Sequence, residues 1–546
     1  MMFALGPINE AIADAVPDQE AIVSAQRRLT WRQFQLRTRR LANLLHQAGL
    51  GCHREREQLE PWESGQDHVA LYLYNGTEYL EGMVGCWKAR AASFNVNYRY
   101  VEEELRYLLL DARTKAIIYH ASFAPRLRAV LGDLPPLALL LQVDDGSGEP
   151  LLPGARDYEE ALAGASDALP PVTPREDDLY ILYTGGTTGM PKGVLWTQRD
   201  IFFAAMGGVL PAGMGTVTSV AEMLERAPMG VYVRQMPAPP FMHGAAQWAS
   251  FMILHQGGAV VLPENVRALD PDDIWRTIER EKVVSLSIVG DAFARPLLDQ
   301  LRKGGYDLSG LRILGSGGAI LSPPMKEGFL ELLPDLMIFD GFGSSETGAQ
   351  GAAVTTKGDA VTPAFKMDDS TCVLDAALTR RLPPGDPDTG WLARTGYLPL
   401  GYFNDQAKTQ KTYPTIGGTR YAVPGDRAQA AADGTIVVFG RDSVCINSGG
   451  EKIFAEEVEK ALKHHAAVYD VVVAGAPSER WGEQVVAIVQ FRDGQRASDA
   501  ELLEEAAKHL ARYKLPKAFI PVAEILRSAS GKPDYRWAKS IAAGTA

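Results

Sequence analysis

Cysteine is scarce in this chain. Its four cysteines, at positions 52, 86, 372 and 445, lie far apart and form no CxxC pair, which argues against a zinc site and against a disulfide framework. Apolar runs long enough to span a bilayer, about 18 residues, are missing as well, and Met1 to Asp14 lacks the basic flank of a secretory signal. In that setting the sequon Asn75-Gly76-Thr77 reads as coincidence, no integral membrane segment is expected, and the expected location is the cytoplasm. Positive charge is in deficit: 55 Lys and Arg face 67 Asp and Glu, a formal net charge of −12, so the chain is not expected to coat nucleic acid. Several catalytic signatures are also lacking. There is no GxSxG elbow and no HExxH helix. Gly315-Ser316-Gly317-Gly318 and Gly341-Phe342-Gly343 both stop short of GxGxxG, because Ile320 and Glu346 stand where the third glycine would be. Simple serine-hydrolase, zinc-protease and dinucleotide-redox chemistries are thereby disfavoured.

What is present is the composition of a folded soluble protein, 46% hydrophobic and 22% charged over 546 residues, long enough for about three or four compact units. The first 130 or so residues alternate helix-like and strand-like text. Thr30 to Ala48 has apolar residues at helical spacing, Val69 to Tyr74 is a short apolar strand, and Glu78 to Lys88 and Val101 to Leu110 read as helices. This alternation predicts an α/β layer structure with parallel strands. Gly51 to Gln66 is expected to be an exposed loop, and residues 144 to 175, rich in Asp, Gly and Pro, a surface excursion. Apolar strands recur at Val283 to Val289, Leu311 to Leu314 and Leu336 to Phe339. From about 352 to 438, short segments broken by Gly and Pro predict a small β subdomain. The remainder reads as a compact α+β module: a helix from Ala455 to His464, strands at Val471 to Ala474 and Val485 to Phe491, and a helix from Asp499 to Leu510. Its boundary is expected near Gly440-Arg441.

The segment richest in chemistry is Thr184-Gly185-Gly186-Thr187-Thr188-Gly189-Met190-Pro191-Lys192-Gly193, which sits between two apolar runs. Glycines let consecutive N–H groups converge on an anion, threonine hydroxyls add donors, and a lysine adds charge. The loop suits a polyphosphate, although Met190 after Gly189 departs from the Walker pattern; the alternative is a flexible turn.

This loop resembles the phosphate loop of the adenylate-forming superfamily, which includes acyl-CoA synthetases, peptide-synthetase adenylation domains and luciferases. Four further segments match the motifs of that family in order: Phe342-Gly343-Ser344-Ser345-Glu346-Thr347; Gly401-Tyr402-Phe403-Asn404 leading to Gly425-Asp426; Gly440-Arg441 through Glu451 and Glu457; and Ser530-Gly531-Lys532. The similarity covers nearly the whole chain. Leu73-Tyr74-Asn75-Gly76, Phe94 to Tyr100 and Ser448 to Lys452 are closest to bacterial fatty-acid and steroid-side-chain acyl-CoA synthetases.

The resemblance implies a large N-terminal region, 1–440, of two α/β lobes and a β subdomain, followed by a mobile α+β lid, 441–546, that carries the catalytic lysine. It implies an ATP-dependent, AMP-forming carboxylate–CoA ligase, with ATP, Mg²⁺, coenzyme A and a small carboxylic acid as its partners. ATP is expected against Thr184, Gly185, Gly186, Thr187, Thr188, Gly189 and Lys192, and against Gly317, Gly341, Phe342, Gly343 and Ser345, with Asp426 and Arg441 at the ribose. Glu346 is expected to hold the metal, Gly449 and Gly450 to line the pantetheine path, and Lys532 to bridge carboxylate and α-phosphate. His243, ahead of an apolar helix that carries Trp248, Phe251 and His255, has two readings: a residue beside the acyl carboxylate, or a satisfied core histidine. Ser443 stands where the family hinge usually has Asp or Lys. The alternatives are an adenylating enzyme that passes its acyl group to an amine or carrier-protein thiol, and a non-catalytic nucleotide or acyl sensor. Whether the chain works as a monomer or a homodimer is left open.

Overall fold

The computed structural model describes the chain except residues 1–2, 185–189, 210–214, 231, 320, 360–364, 367–369, 442–443, 449–450, 479–480, 529–530 and 545–546, and except the side chains of 365, 366, 441, 451 and 452. A large N-terminal domain is followed by a smaller C-terminal one. The large domain holds two parallel-stranded α/β layers. One sheet runs in the spatial order Ala92–Asn95, His68–Tyr72, Thr114–His120, Leu139–Val143, Arg156–Asp157, parallel throughout. The other has eight strands. Six consecutive parallel ones (Met337–Ser344, Ile313–Gly317, Ser285–Ile288, Arg234–Pro237, Ala259–Val261, Glu20–Val23) are flanked by antiparallel Gly348–Thr355 and Arg28–Thr30.

Helices cover these sheets for the reason their spacing predicts. Trp31–Gln47 buries Trp31, Phe34, Leu41 and Leu45 on one stripe. It starts at a capping box, in which the Thr30 hydroxyl accepts from the N–H of Gln33 and the Gln33 side chain accepts from the N–H of Thr30. Thr77–Lys88 is buried all round because it is packed between layers. The 144–175 segment is less superficial than expected. It carries the helix Tyr158–Ala163, whose Tyr158 is fully buried and donates its hydroxyl to the buried Glu81 carboxylate at 2.7 Å. Residues 51–66 form the expected loop, closed by a bridge between Cys52 and Gln66 and holding one short turn, Arg56–Gln58.

The β subdomain is a five-stranded antiparallel sheet with the order Phe365–Lys366, Thr435–Arg441, Asp426–Ala430, Gly390–Arg394, Thr371–Leu374. Its last strand runs through to Arg441, and a new sheet begins at Cys445–Ser448. That sheet pairs the long strands Val468–Ser478 and Gly482–Phe491 and adds Ala518–Val522 parallel to the second. Ala455–Leu462 and Asp499–Ala507 pack on it around Val458, Leu462, Val471, Val489 and Leu502.

Candidate active site

In the eight-stranded sheet the register brings the carboxyl ends of four neighbouring strands to one edge. Pro237 lies opposite Ser287, Ile288 opposite Ser316, and Gly317 opposite Gly341. In open parallel sheets this edge is where ligands bind, because the strand ends and the loops leaving them form a crevice. Here the edge is kept bare by small residues. Among the described residues, a Cβ added to Gly318, whose φ is +84°, would have only Val289 and Lys532 within 4 Å, at 3.9 and 4.0 Å. The Ser316 hydroxyl accepts from the N–H of Gly290 at 3.0 Å, tying the adjacent strand end to the helix that starts there.

The Phe342 to Thr347 motif forms the end of a β-hairpin. Met337–Ser344 and Gly348–Thr355 pair antiparallel, and Ser345, Glu346 and Thr347 make the turn. Gly343 is required by close approach: a Cβ there would lie 2.2 Å from the Gly348 carbonyl oxygen. The turn is held from several sides. Thr347 accepts the Ser344 N–H at 3.0 Å, Trp196 donates to the Ser345 carbonyl at 3.0 Å, and buried Arg394 donates to the carbonyls of Thr347, at 2.6 Å, and Ala349. Glu346 is buried, and its Oε1 accepts from the Tyr402 hydroxyl at 2.9 Å. Phe342 is half-buried against Val373, Leu392, Ala428 and Ile436 of the β subdomain. Asp426, also buried, begins a strand of that subdomain and is the register partner of Arg441.

His243 closes the next strand end along the edge and caps the helix Gly244–Leu254. Two buried asparagines pin the loop that leads to it. Asn75 accepts from the Phe241 N–H at 2.6 Å and donates to the Pro239 carbonyl at 3.0 Å. Asn95 donates to the carbonyls of Met242 and Tyr183, at 2.7 and 2.8 Å, and accepts from the Tyr183 N–H. Asn75 is therefore a structural amide, which gives the sequon a role unrelated to glycosylation. The His243 residue is half-buried as a whole, but its Nε2 is shielded and has no hydrogen-bond partner among the described residues. Burial, then the charges of Lys532 and Arg99, push its pKa down to about 3. Phe251 and His255 are core residues; His255 bonds the Met206 carbonyl through Nδ1 at 2.8 Å.

Leu179–Thr184 and Lys192–Thr197 pair antiparallel, with Thr184 opposite Lys192, so the glycine-rich segment joins the two strands of a hairpin. Gly185, Gly186, Thr187, Thr188 and Gly189 themselves lie outside the described residues, as do Gly449, Gly450 and Ser443. Lys192 Nζ sits 3.8 Å from both Asp111 and Asp405. Burial works against its charge, but Asp111, Tyr107 and Asp405 outweigh burial and raise its pKa; it remains a cation.

Lys532 comes to this edge from the C-terminal domain. Gly531, at φ +74°, lies against Ala292, the Val289 carbonyl and Phe293; a Cβ on it would be 3.1 Å from the Ala292 Cβ. The Lys532 stem then passes Gly318, and its charge acts on His243. The structure thus places Lys532, His243 and Gly317 along one carboxyl edge, with Gly341, Phe342, Gly343, Ser345 and Glu346 on the adjoining hairpin. Asn95 ties Tyr183, the residue before Thr184, to Met242, the residue before His243, whereas the Lys192 side chain lies by Asp111 and Asp405. Sequence reasoning had no role for Tyr402, Arg394, Asn75 or Asn95. Tyr402 and the two asparagines lie inside quoted motifs, but their partners are 56 to 166 residues away, beyond any local pattern.

Glu346 supplies hard oxygen, the donor that Mg²⁺ prefers, and Mg²⁺ commonly takes one or two carboxylates and completes its shell with water and phosphate. Among the described residues no group of three or more His, Cys, Asp or Glu side chains forms an all-protein cage, and a shared site of that kind needs none.

The family described as AMP-binding enzyme matches residues 9–399, and the AMP-binding enzyme C-terminal domain matches residues 457–532. The chain belongs to this family of AMP-binding enzymes. It is 52% identical over 540 residues to the medium-chain acyl-CoA ligase Mig of Mycobacterium avium, covering 99% of this chain and 98% of that one. It is 41% identical over 549 residues to a 3-oxocholest-4-en-26-oate–CoA ligase of Rhodococcus rhodochrous, covering 99% and 96%. The fold matches the crystal structure of the anthranilate CoA ligase AuaEII in complex with anthranoyl-AMP, with a TM-score of 0.81 at 21% identity over 98% of this chain and 97% of that one.

Proposed function

We propose that the protein is an ATP-dependent, AMP-forming acid–CoA ligase acting on medium-chain fatty acids or steroid-side-chain acids. The observation that carries this reading is Lys532, delivered by the C-terminal domain to a glycine-bare strand edge beside His243. A carboxylate and a triphosphate repel each other: two unit charges about 4 Å apart cost about 4 kcal/mol at an effective dielectric near 20. Lys532, between them, offsets this repulsion as the carboxylate oxygen attacks the α-phosphate and pyrophosphate leaves. Lys192 and the 185–189 loop hold the β- and γ-phosphates. Phe342, with Gly317, Gly341, Gly343 and Ser345, flanks the adenine, while Asp426 accepts from the two ribose hydroxyls and Arg441 supports them. Glu346, oriented by the Tyr402 hydroxyl, would hold Mg²⁺, which would neutralise phosphate charge.

The acyl-adenylate is then attacked by the thiol of CoA, forming the thioester and releasing AMP. Gly449 and Gly450 are assigned to the path of the thiol arm, and the 441–546 domain rotates between the two steps. Relatives at 52% and 41% identity, each matched along nearly its whole length, support the acid class and the acceptor. No described helix is long and apolar enough to cross a membrane, and a cytoplasmic location completes the proposal. The test is a panel of fatty, aromatic and steroid-side-chain acids, with AMP and acyl-CoA both quantified. Equal amounts of both products with medium-chain or steroid acids, and no acyl-CoA when CoA is omitted, are expected. AMP release without any CoA thioester would move the acceptor to an amine or a carrier thiol.

A further inference from the structure

We propose that a buried ion network spanning the two domains is a reversible latch that positions Lys532 for adenylation. This rests on the assignment of Lys532 above. At the catalytic end, Arg527 donates to the carbonyl of Gly531, the residue before Lys532, at 2.9 Å. Its other two nitrogens bind both oxygens of Asp470 at 2.6 and 2.7 Å. Lys463 stands 3.9 Å from Asp470 and crosses the domain interface to Asp291, at 3.2 Å. Asp291 lies in the first turn of the helix Gly290–Leu301, at the carboxyl edge of the large sheet, and its Oδ1 accepts from the Ser322 N–H at 2.8 Å. One turn further on, Arg295 is 3.6 Å from Asp291 and stacks over Tyr469 of the C-terminal domain at 5.1 Å. An unbroken series of charged contacts therefore joins the sheet edge to the backbone that carries Lys532.

Burial gives the interdomain pair its leverage. The side chains of Lys463 and Asp291 are only 6% and 3% exposed, so solvent screens them far less than a surface pair. A buried pair of this kind would be a poor choice for a moving interface if parting left bare charges behind. Here it does not. The large-domain half pairs Asp291 with Arg295. The C-terminal half balances Lys463 and Arg527 with Asp470 and the buried Glu459, which interacts with both cations. Lys463 and Arg527 keep Asp470, and Asp291 keeps Arg295, as opposite neighbours when the domains separate. The pair can hold the docked arrangement and still release it.

Lys463→Met keeps the aliphatic stem and removes the charge; Asp291→Asn keeps the oxygen that accepts from Ser322. In the full-length protein, pyrophosphate release without CoA reports adenylation, and thioester formation from supplied acyl-adenylate and CoA reports the second step. Each variant is expected to slow adenylation about tenfold or more while leaving the second step undiminished. The double variant is expected to be no slower than either single one, and Lys463→Arg to restore most of the rate. Equal loss in both half-reactions, or two single losses that multiply in the double variant, would overturn the latch. A wild-type protein that releases no pyrophosphate with any acid would instead overturn the ligase assignment.

Discussion

His243 is shielded from solvent and feels the charges of Lys532 and Arg99, and among the described residues nothing bonds its buried Nε2. Protonating it there would add a third positive charge in a poorly solvated place, so its pKa falls to about 3 against an ordinary value of about 6.5. Because the folded value lies below the unfolded one, its contribution to stability is present above about pH 6.5 and is lost as the pH falls toward about 3. Through the working range the imidazole is neutral and acts by shape and hydrogen bonding. His243→Asn is therefore expected to lower the adenylation rate without changing the shape of the pH–rate curve between about pH 5.5 and about pH 8. If the substitution removed a limb near pH 6.5, His243 would be titrating and its environment would be more polar than the geometry shows. Sequence left His243 with two readings because it reveals a neighbour in the chain, not one in space. Burial and then the charges of Lys532 and Arg99 set its state; the two cations stand in separate motifs, and only the fold brings their charges to bear on it.

Among elements, periodic ones were legible and short or edge ones were not. The helix expected over Thr30 to Ala48 is Trp31–Gln47, since its apolar stripe and its Thr30 and Gln33 cap agree. The α/β alternation also gave the parallel layers correctly. The Tyr158–Ala163 helix was hidden in Asp-, Gly- and Pro-rich text; it is too short for a periodic signal, and its anchors are long-range, Tyr158 to Glu81 and Glu159 to Arg27 and Arg37. The parallel strand Ala518–Val522 has proline at 521 and alternates weakly, so it gives no strand signal in sequence. The hairpin at 337–355 was visible only in part: its glycines suggested a ligand, whereas Gly343 is there first for its own partner strand. Gly343→Ala is expected to destabilise the protein by about 1–3 kcal/mol, the usual cost of overpacking, read as a lower Tm in thermal unfolding. Gly318→Ser, whose side chain would enter the edge beside the Lys532 stem, is expected to lose activity, with a loss of Tm from the strain of its φ of +84°. A Tm for Gly343→Ala equal to wild type would mean that the hairpin does not hold the register seen here.

At the scale of the whole molecule, motif order already implied the two-domain architecture, but no motif states how the domains sit. Their arrangement depends on contacts such as Lys463 to Asp291 and Gly531 to Val289, made between segments that show nothing distinctive in sequence. In the proposed mechanism the C-terminal domain, docked in this way, presents Lys532 to the site of adenylate formation and moves away for the thioester step. The most direct measurement is Lys532→Ala assayed in the two half-reactions separately. A charged contact made in the transition state is worth several kcal/mol, and each 1.36 kcal/mol is about tenfold in rate. Adenylation is expected to fall by roughly a hundredfold or more, with thioester formation from supplied acyl-adenylate largely intact. Equal losses in both steps, with an unchanged fold, would make Lys532 a structural residue and contradict the account.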